Sequence, residues 1–354
     1  MALSIGIVGL PNVGKSTLFT ALTRKKGLST NYPFSTVESN VGIAEVPDPR
    51  LQALADIVHP GRIVPATVEF VDISGLVKGA NRGEGLGNQF LSNIREADAI
   101  IEVVRYFSDN EVVHVMGRPD PERDIEIIKT ELILADLGTI ERALPRLEKE
   151  AKKEKSLLAK LDTIKGLQEW MNEGNRALTF EKTEEQQAHL YDLHLITMKP
   201  LLYVANVDED KTTADIKPLD GVRPIPFSAK IESEIIDMEA EEVREYLEMI
   251  GFSQSGLERL IKAAYHLLGL HSFFTAGEME VRAWTIPIGA KAPQAAGVIH
   301  SDFQRGFIKA ETISYNDYIA NGGEAKSRVV GKLRQEGKEY IVQDGDVMHF
   351  KFNV

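Results

Sequence analysis

The sequence predicts an α/β protein: a doubly wound, mostly parallel sheet, interrupted by a helical insertion and followed by a smaller α+β module. Three observations carry this. Short apolar runs alternate with amphipathic segments through the first third of the chain, the pattern of a parallel sheet covered on both faces. One such run, residues 3–10, passes through a glycine-bearing turn into a helix-like segment, 15–24, with Leu18, Phe19 and Leu22 on one face. From 121 to about 194 no strand-like run occurs, and apolar residues recur instead at helical spacing.

Strands are expected at 4–9, 41–46, 67–73, 99–106, 200–207 and 223–227, with helices at 15–24, 49–58, 87–97, 233–250 and 255–268. The insertion reads as an antiparallel helical hairpin, 124–155 and 157–173, with a shorter helix from Thr183. Leu132, Leu137, Ile140, Leu144 and Leu147 form its apolar stripe, and the mixed-charge run 148–155 its solvated face. From 277 the pattern changes. Residues 281–287, 303–309, 340–343 and 347–352 suggest short strands punctuated by Gly322-Gly323, Gly337 and Asp344-Gly345.

Composition narrows the function. The formal net charge is −12, from 41 basic and 53 acidic side chains, so contact with nucleic acid needs a local basic patch. The absence of cysteine excludes disulfides, thiolate zinc sites and thiol catalysis. No apolar run has membrane-spanning length, and because residues 3–10 read as a strand no signal peptide is expected. A cytoplasmic monomer is expected.

Residues 9–17, Gly-Leu-Pro-Asn-Val-Gly-Lys-Ser-Thr, match the phosphate-loop pattern G-x-x-x-x-G-K-[ST]. Between a buried strand and a helix N-terminus, such a turn points successive N–H groups into one concavity suited to a polyphosphate. Asn12, Val13, Gly14, Lys15, Ser16 and Thr17 are the candidate phosphate-binding residues. Lys15 is placed at the β- and γ-phosphates and the Ser16 hydroxyl on Mg2+. Downstream, Asp72-Ile-Ser-Gly75 ends an apolar strand, which puts Asp72 in the Mg2+ shell and the Gly75 N–H on the γ-phosphate. Thr36, in the intervening loop, is the candidate to close over Mg2+. Asn206-Val207-Asp208-Glu209 and Ser228-Ala229-Lys230 follow two later strands, where guanine-binding proteins carry N-K-x-D and S-A-K. This order of motifs identifies the GTPase superfamily fold.

Across essentially its whole length the chain resembles the YchF (Obg-like ATPase) family. The resemblance rests on residues 9–17, 31–38, 72–80, 206–209 and 228–230, on the helical insertion and on the C-terminal module, which is similar to a TGS domain of ubiquitin-like β-grasp fold. It implies an OBG-type G domain at 1–120 and 196–276, a helical insertion at 121–195 and a TGS domain at 277–354. It also implies ATPase activity on a GTPase-like scaffold and association with the ribosome.

The base-binding residues agree with that implication on chemical grounds. Val207 stands where N-K-x-D has its lysine, and Glu209 replaces the aspartate with one more methylene, so the paired contact to guanine is not reproduced. Adenine lacks those two donors and offers an amine and ring acceptors instead, which Asn206 and backbone groups at Val207 can meet; loss of a buried hydrogen-bond pair shifts specificity by orders of magnitude. ATP is favoured over GTP, although Asp208 and Asp210 leave another carboxylate within reach of a shifted loop.

Leu76 follows Gly75 where many GTPases have a water-orienting glutamine, so the hydrolytic water needs another organiser. His114, in a loop-like stretch after the strand at 99–106, is the candidate, and the resemblance implies a catalytic role for it. The alternative is a packing or surface histidine. Asn12 is a possible K+ ligand by the same resemblance, or a loop-shaping side chain. The glycine-rich 79–87 is expected to order with the γ-phosphate. Arg305, Lys309, Lys326, Arg328, Lys332 and Arg334, with Lys149, Lys152 and Lys153 of the insertion, could line a basic cleft for ribosomal RNA. Two rivals remain: a true GTPase, and an RNA- or ribosome-binding scaffold whose hydrolysis is incidental.

Overall fold

The computed structural model describes residues 3–24, 40–73, 85–109, 111–212 and 216–353. Thr36, Gly75, Leu76 and most of the glycine-rich stretch 79–87 lie outside the described residues. No described helix is long and apolar enough to cross a membrane.

In chain order the first elements are β1 (Ser4–Val8), α1 (Lys15–Arg24), β2 (Val41–Glu45), α2 (Pro49–Val58), β3 (Ile63–Val64), β4 (Thr67–Asp72), α3 (Gly85–Glu96) and β5 (Ala99–Arg105). Then come α4 (Pro121–Ala151), α5 (Leu158–Asn172), α6 (Glu184–Leu190), β6 (Leu201–Asn206), β7 (Ile225–Phe227), α7 (Ala229–Ile235), α8 (Ala240–Met249) and α9 (Gly256–Leu267). The last are β8 (Leu270–Ala276), β9 (Val281–Pro287), α10 (Ala292–Ile299), α11 (Ser301–Arg305), β10 (Phe307–Ser314), α12 (Tyr315–Asn321), α13 (Glu324–Val329), β11 (Arg334–Glu336) and β12 (Asp346–Phe352). The chain forms two compact units, Met1–Gly42 with Glu69–Leu260 and Ile43–Val68 with Ile261–Val354.

The sheet of the first unit has the order β2-β4-β1-β5-β6-β7. β1 runs parallel to β4 and β5, β5 to β6, and β6 to β7. Every residue of β5 is buried, which is why its sequence is a continuous run rather than an alternation. Strand order reverses at β1, between β4 and β5, and in such sheets ligands bind beyond the carboxyl ends of the strands at that point. The phosphate loop after β1, Asp72, Arg105, Asn206 and Ser228 all sit at this edge.

The insertion builds its own core. Ile133, Leu137, Ile140 and Leu147 of α4 pack against Ile164, Leu167 and Met171 of α5, giving the antiparallel hairpin that the apolar spacing predicts. Asp120 caps α4 by accepting from the Arg123 N–H at 3.2 Å, and Pro121 opens the helix. Asp136 ties α4 to the returning chain: it is fully buried and accepts from the Ile196 and Thr197 N–H groups at 2.9 and 2.7 Å and from the Thr197 hydroxyl at 2.8 Å.

The sheet of the second unit has the order β11-β10-β12-β8-β9-β3. β8 and β9 form an antiparallel hairpin, and β12 returns between them and β10, parallel to β8. Ala292, Ala295 and Ala296 of α10 pack on Phe273 and Phe350, completing a β-grasp arrangement. Helix α2 belongs to this unit: the Arg50 guanidinium donates to both Asp48 and Asp344, 2.8 Å from each.

Several elements differ from expectation. The helix expected over 233–250 is two, because Glu239 starts α8 with a reciprocal cap to Glu242. The strand expected at 303–309 begins only at Phe307, since the His300 ring accepts from the Asp302 N–H and nucleates α11. Residues 340–343 make a single bridge, Lys291 to Ile341, because Asp346 accepts from the Gln343 N–H and the Tyr340 hydroxyl and folds a turn there. β8, α10, α12 and α13 were not expected, and α3 starts at Gly85 rather than Gly87.

Candidate nucleotide-binding site

The phosphate loop bends through three left-handed residues. Gly9, Asn12 and Gly14 have φ of 153°, 62° and 102°. A Cβ on Gly14 would lie 2.3 Å from Asn206 Nδ2 and one on Gly9 2.6 Å from the Val103 carbonyl oxygen, so close approach as well as φ demands glycine at both. Val13 is buried and anchors the loop, and the Leu18 N–H donates to the Gly14 carbonyl at 3.0 Å to begin α1. Ser16 is exposed at the first turn of that helix, beside Thr17.

Lys15 and Asp72 face one another. The Lys15 ammonium donates to the Leu10 carbonyl at 2.7 Å. Burial lowers its pKa, with Asp72 opposing the shift. The Asp72 carboxyl is raised, again by burial, with Lys15 pulling it back. One Asp72 oxygen, Oδ1, is buried without a hydrogen-bond partner. An orphaned carboxylate oxygen beside a phosphate loop fits a hard divalent cation, and Ser16 and Asp72 are the described residues that could hold one.

The base side is organised by Asn206, buried at the end of β6. Its Nδ2 donates to the Val13 carbonyl at 3.0 Å, and its Oδ1 accepts from the Ala229 N–H at 3.1 Å. One N–H and one lone pair of the amide remain. Val207 is buried and its N–H donates to the Phe227 carbonyl at 2.9 Å, so its amide proton is already used and is not available to a base. Ser228 caps α7, accepting from the Ile231 N–H. Glu209 is ion-paired with Lys230, and Asp208 accepts from the Ser108 N–H and pairs with Lys211 at 2.8 Å. These residues enclose a cavity of about 320 Å³ with Phe107, Ser108 and Asp109 on its other side.

Phe107 to Asp109 were missed by motif reasoning, as was the residue that shapes them. Arg105 ends β5 with its side chain buried. Its guanidinium donates to the carbonyls of Asp109 at 2.7 Å and Val112 at 2.8 Å, and lies 4.3 Å from the centre of the Phe107 ring. The available signal was a cation closing a fully buried strand that holds one other charged residue, Glu102.

His114 follows on the same loop. The Asn12 amide donates to the neighbouring Val113 carbonyl at 3.0 Å, bringing this stretch to the phosphate loop. The His114 ring itself turns the other way. Its Nδ1 accepts from the Met116 N–H at 3.2 Å, and its Nε2 lies 2.9 Å from Asp124 in the first turn of α4.

The nominated cations of the C-terminal module are largely engaged. Arg305 pairs with Asp302, Arg328 with Glu311 and Glu324, Lys332 with Asp317, and Arg334 with Glu336 and Asp346. Lys309 donates to Gln335.

Comparison with known proteins gives the family. A family model described as a 50S ribosome-binding GTPase matches residues 4–136, and the YchF-GTPase_C model, described as a protein of unknown function, matches 270–353. The chain is 54% identical to the ribosome-binding ATPase YchF of Bacillus subtilis and 49% identical to that of Escherichia coli O157:H7, covering 100% of both chains in each case. The chain belongs to the YchF family. A solved structure of the Schizosaccharomyces pombe YchF GTPase matches with a TM-score of 0.90 at 36% identity, over 99% of this chain and 97% of that one. YchF membership accounts for a G-domain sheet joined to a C-terminal module within one chain.

Proposed function

We propose that the protein hydrolyses ATP to ADP and phosphate and acts as a nucleotide-dependent switch on the ribosome. The observation that carries the choice of ATP is the state of the base pocket. Glu209 is paired with Lys230, Asp208 with Lys211 and the Ser108 N–H, and a buried valine stands where N-K-x-D has the lysine that covers guanine. Neither carboxylate is free to meet guanine's paired donors, whereas the remaining Asn206 amide capacity suits a purine edge.

In this reading the nucleotide's β- and γ-phosphates take the Lys15 ammonium from the Leu10 carbonyl, and the N–H groups of residues 13–17 cradle the chain of phosphates. Mg2+, when bound, neutralises charge developing on the phosphate oxygens. Ser16 and Asp72 would hold it, with Thr36 as a third ligand, and the Gly75 N–H would meet the γ-phosphate. Lys15 and His114 are the proposed catalytic residues, with His114 ordering the water that Leu76 cannot. Potassium at Asn12 is a finer proposal: its Nδ2 is used by Val113, which leaves Oδ1 to a cation.

The division into a G domain at 1–120 and 196–276, an insertion at 121–195 and a TGS domain at 277–354 is our reading of the functional parts. It is supported by the separate core of the insertion. The ribosome is proposed to be met by the outer two parts, with Lys149, Lys152 and Lys153 at the end of α4 as the basic contact. A true GTPase is the second reading, favoured by the match of residues 4–136 to a 50S ribosome-binding GTPase family. Phosphate release measured with Mg2+ and either ATP or GTP, in K+ and in Na+ buffers, separates them. ATP turnover well above GTP turnover is expected, and a GTP preference overturns the reading. Higher turnover in K+ supports the cation at Asn12.

A further inference from the structure

The stretch around His114 is inverted with respect to ordinary burial. The His114 side chain is 1% exposed, while its apolar neighbours Val113 and Val115 are 74% and 50% exposed. Burying an imidazole and leaving two valines in water is unfavourable unless something holds the ring. Nδ1 accepts from the Met116 N–H, so in the neutral ring the proton sits on Nε2, which lies 2.9 Å from Asp124 Oδ2 in a close polar contact whose angles do not complete a hydrogen bond. The other Asp124 oxygen is gripped by Arg123, at 3.1 Å from Nη2.

With its side chain 1% exposed, the ring offers no atom to a water molecule at the phosphates. The boundary of the movable part is visible in the backbone. Arg105 fixes the loop as far as the Val112 carbonyl, and Gly117, in the left-handed region at φ 84° with open space around it, ends the segment. Between them the main chain is tied to the phosphate loop only by the Asn12–Val113 bond among the described residues.

We propose that Asp124, on the first turn of the insertion helix, is a positioning residue that latches His114 in a withdrawn state. Hydrolysis then requires residues 113–117 to turn over, releasing the ring and burying the valines. The inference rests on the reading that His114 acts on the hydrolytic water. It gives the insertion a direct hold on turnover, because anything that moves the start of α4 alters the latch.

The test compares ATP turnover of the full-length wild type with Asp124→Ala, Asp124→Asn, His114→Ala and the His114→Ala/Asp124→Ala double variant. Removing the latch raises kcat about tenfold, with KM changed little. The near-isosteric Asp124→Asn, which keeps the fold and a neutral acceptor, gives a smaller rise of about threefold. In the His114→Ala background the Asp124 change adds nothing, since it acts through the ring. Imidazole NMR of the wild type shows a slowly exchanging Nε2 proton that exchanges fast in Asp124→Asn. An unchanged or lower kcat in both Asp124 variants, or an equal rise without His114, overturns the latch alone. A wild-type rate in His114→Ala overturns both the latch and the catalytic reading of the histidine.

Discussion

Asn206 joins three pieces of the site with one side chain, bonding the phosphate loop at Val13 and the turn at Ala229 from the end of β6. Asn206→Ala leaves a buried carbonyl and a buried N–H without their partners, each costing about 1–3 kcal/mol. Calorimetry on the folded variant is expected to show ATP binding weakened by at least about tenfold. A second buried polar group lies on β5. Glu102 is pushed up to about 8 from an ordinary 4.5, first by burial and then by Asp220 and Asp124, with Arg176 opposing. The folded protein therefore keeps a proton that the unfolded chain loses above pH 4.5, and stability falls as pH rises from there to about 8. Urea unfolding at pH 5 and pH 8 is expected to show a smaller difference in Glu102→Gln than in the wild type. Lys15, Ser16 and Asp72 were legible because a contiguous motif encodes their geometry. Phe107 and Arg105 were not, since their roles exist only once β5 and β6 lie side by side.

At the scale of elements, the insertion was readable because its stripe repeats at helical spacing and its start is marked by Asp120-Pro121. What holds it to the sheet domain was not readable. Asp136 sits on the helix like any interior acid, and only the returning chain shows that it caps Ile196 and Thr197. Its carboxyl is raised by burial, which those hydrogen bonds oppose. Asp136→Ala is expected to lower the unfolding free energy by about 3 kcal/mol, with a lower urea midpoint as the readout. The C-terminal elements were the least legible. Their boundaries are set by side-chain caps at His300, Ser314 and Asp346, which override the local strand pattern at 303–309 and 340–343.

Across the whole molecule, an acidic chain of net charge −12 carries its candidate ribosome contacts on local patches. The cations nominated in the C-terminal module mostly have carboxylate partners, so they offer fewer free charges to RNA than their number suggests. The mostly parallel sheet, by contrast, is legible in the alternation of runs and helices, and its observed strand order gathers the phosphate loop, Asp72 and the base pocket at one edge. The central claim is that a phosphate loop of GTPase type has been joined to a purine pocket that selects adenine. Equilibrium binding of non-hydrolysable ATP and GTP analogues, with Mg2+, tests it most directly. The account predicts ATP-analogue affinity at least about tenfold tighter than that for the GTP analogue, the scale of a lost buried hydrogen bond. Equal affinities, or tighter binding of the GTP analogue, would contradict it.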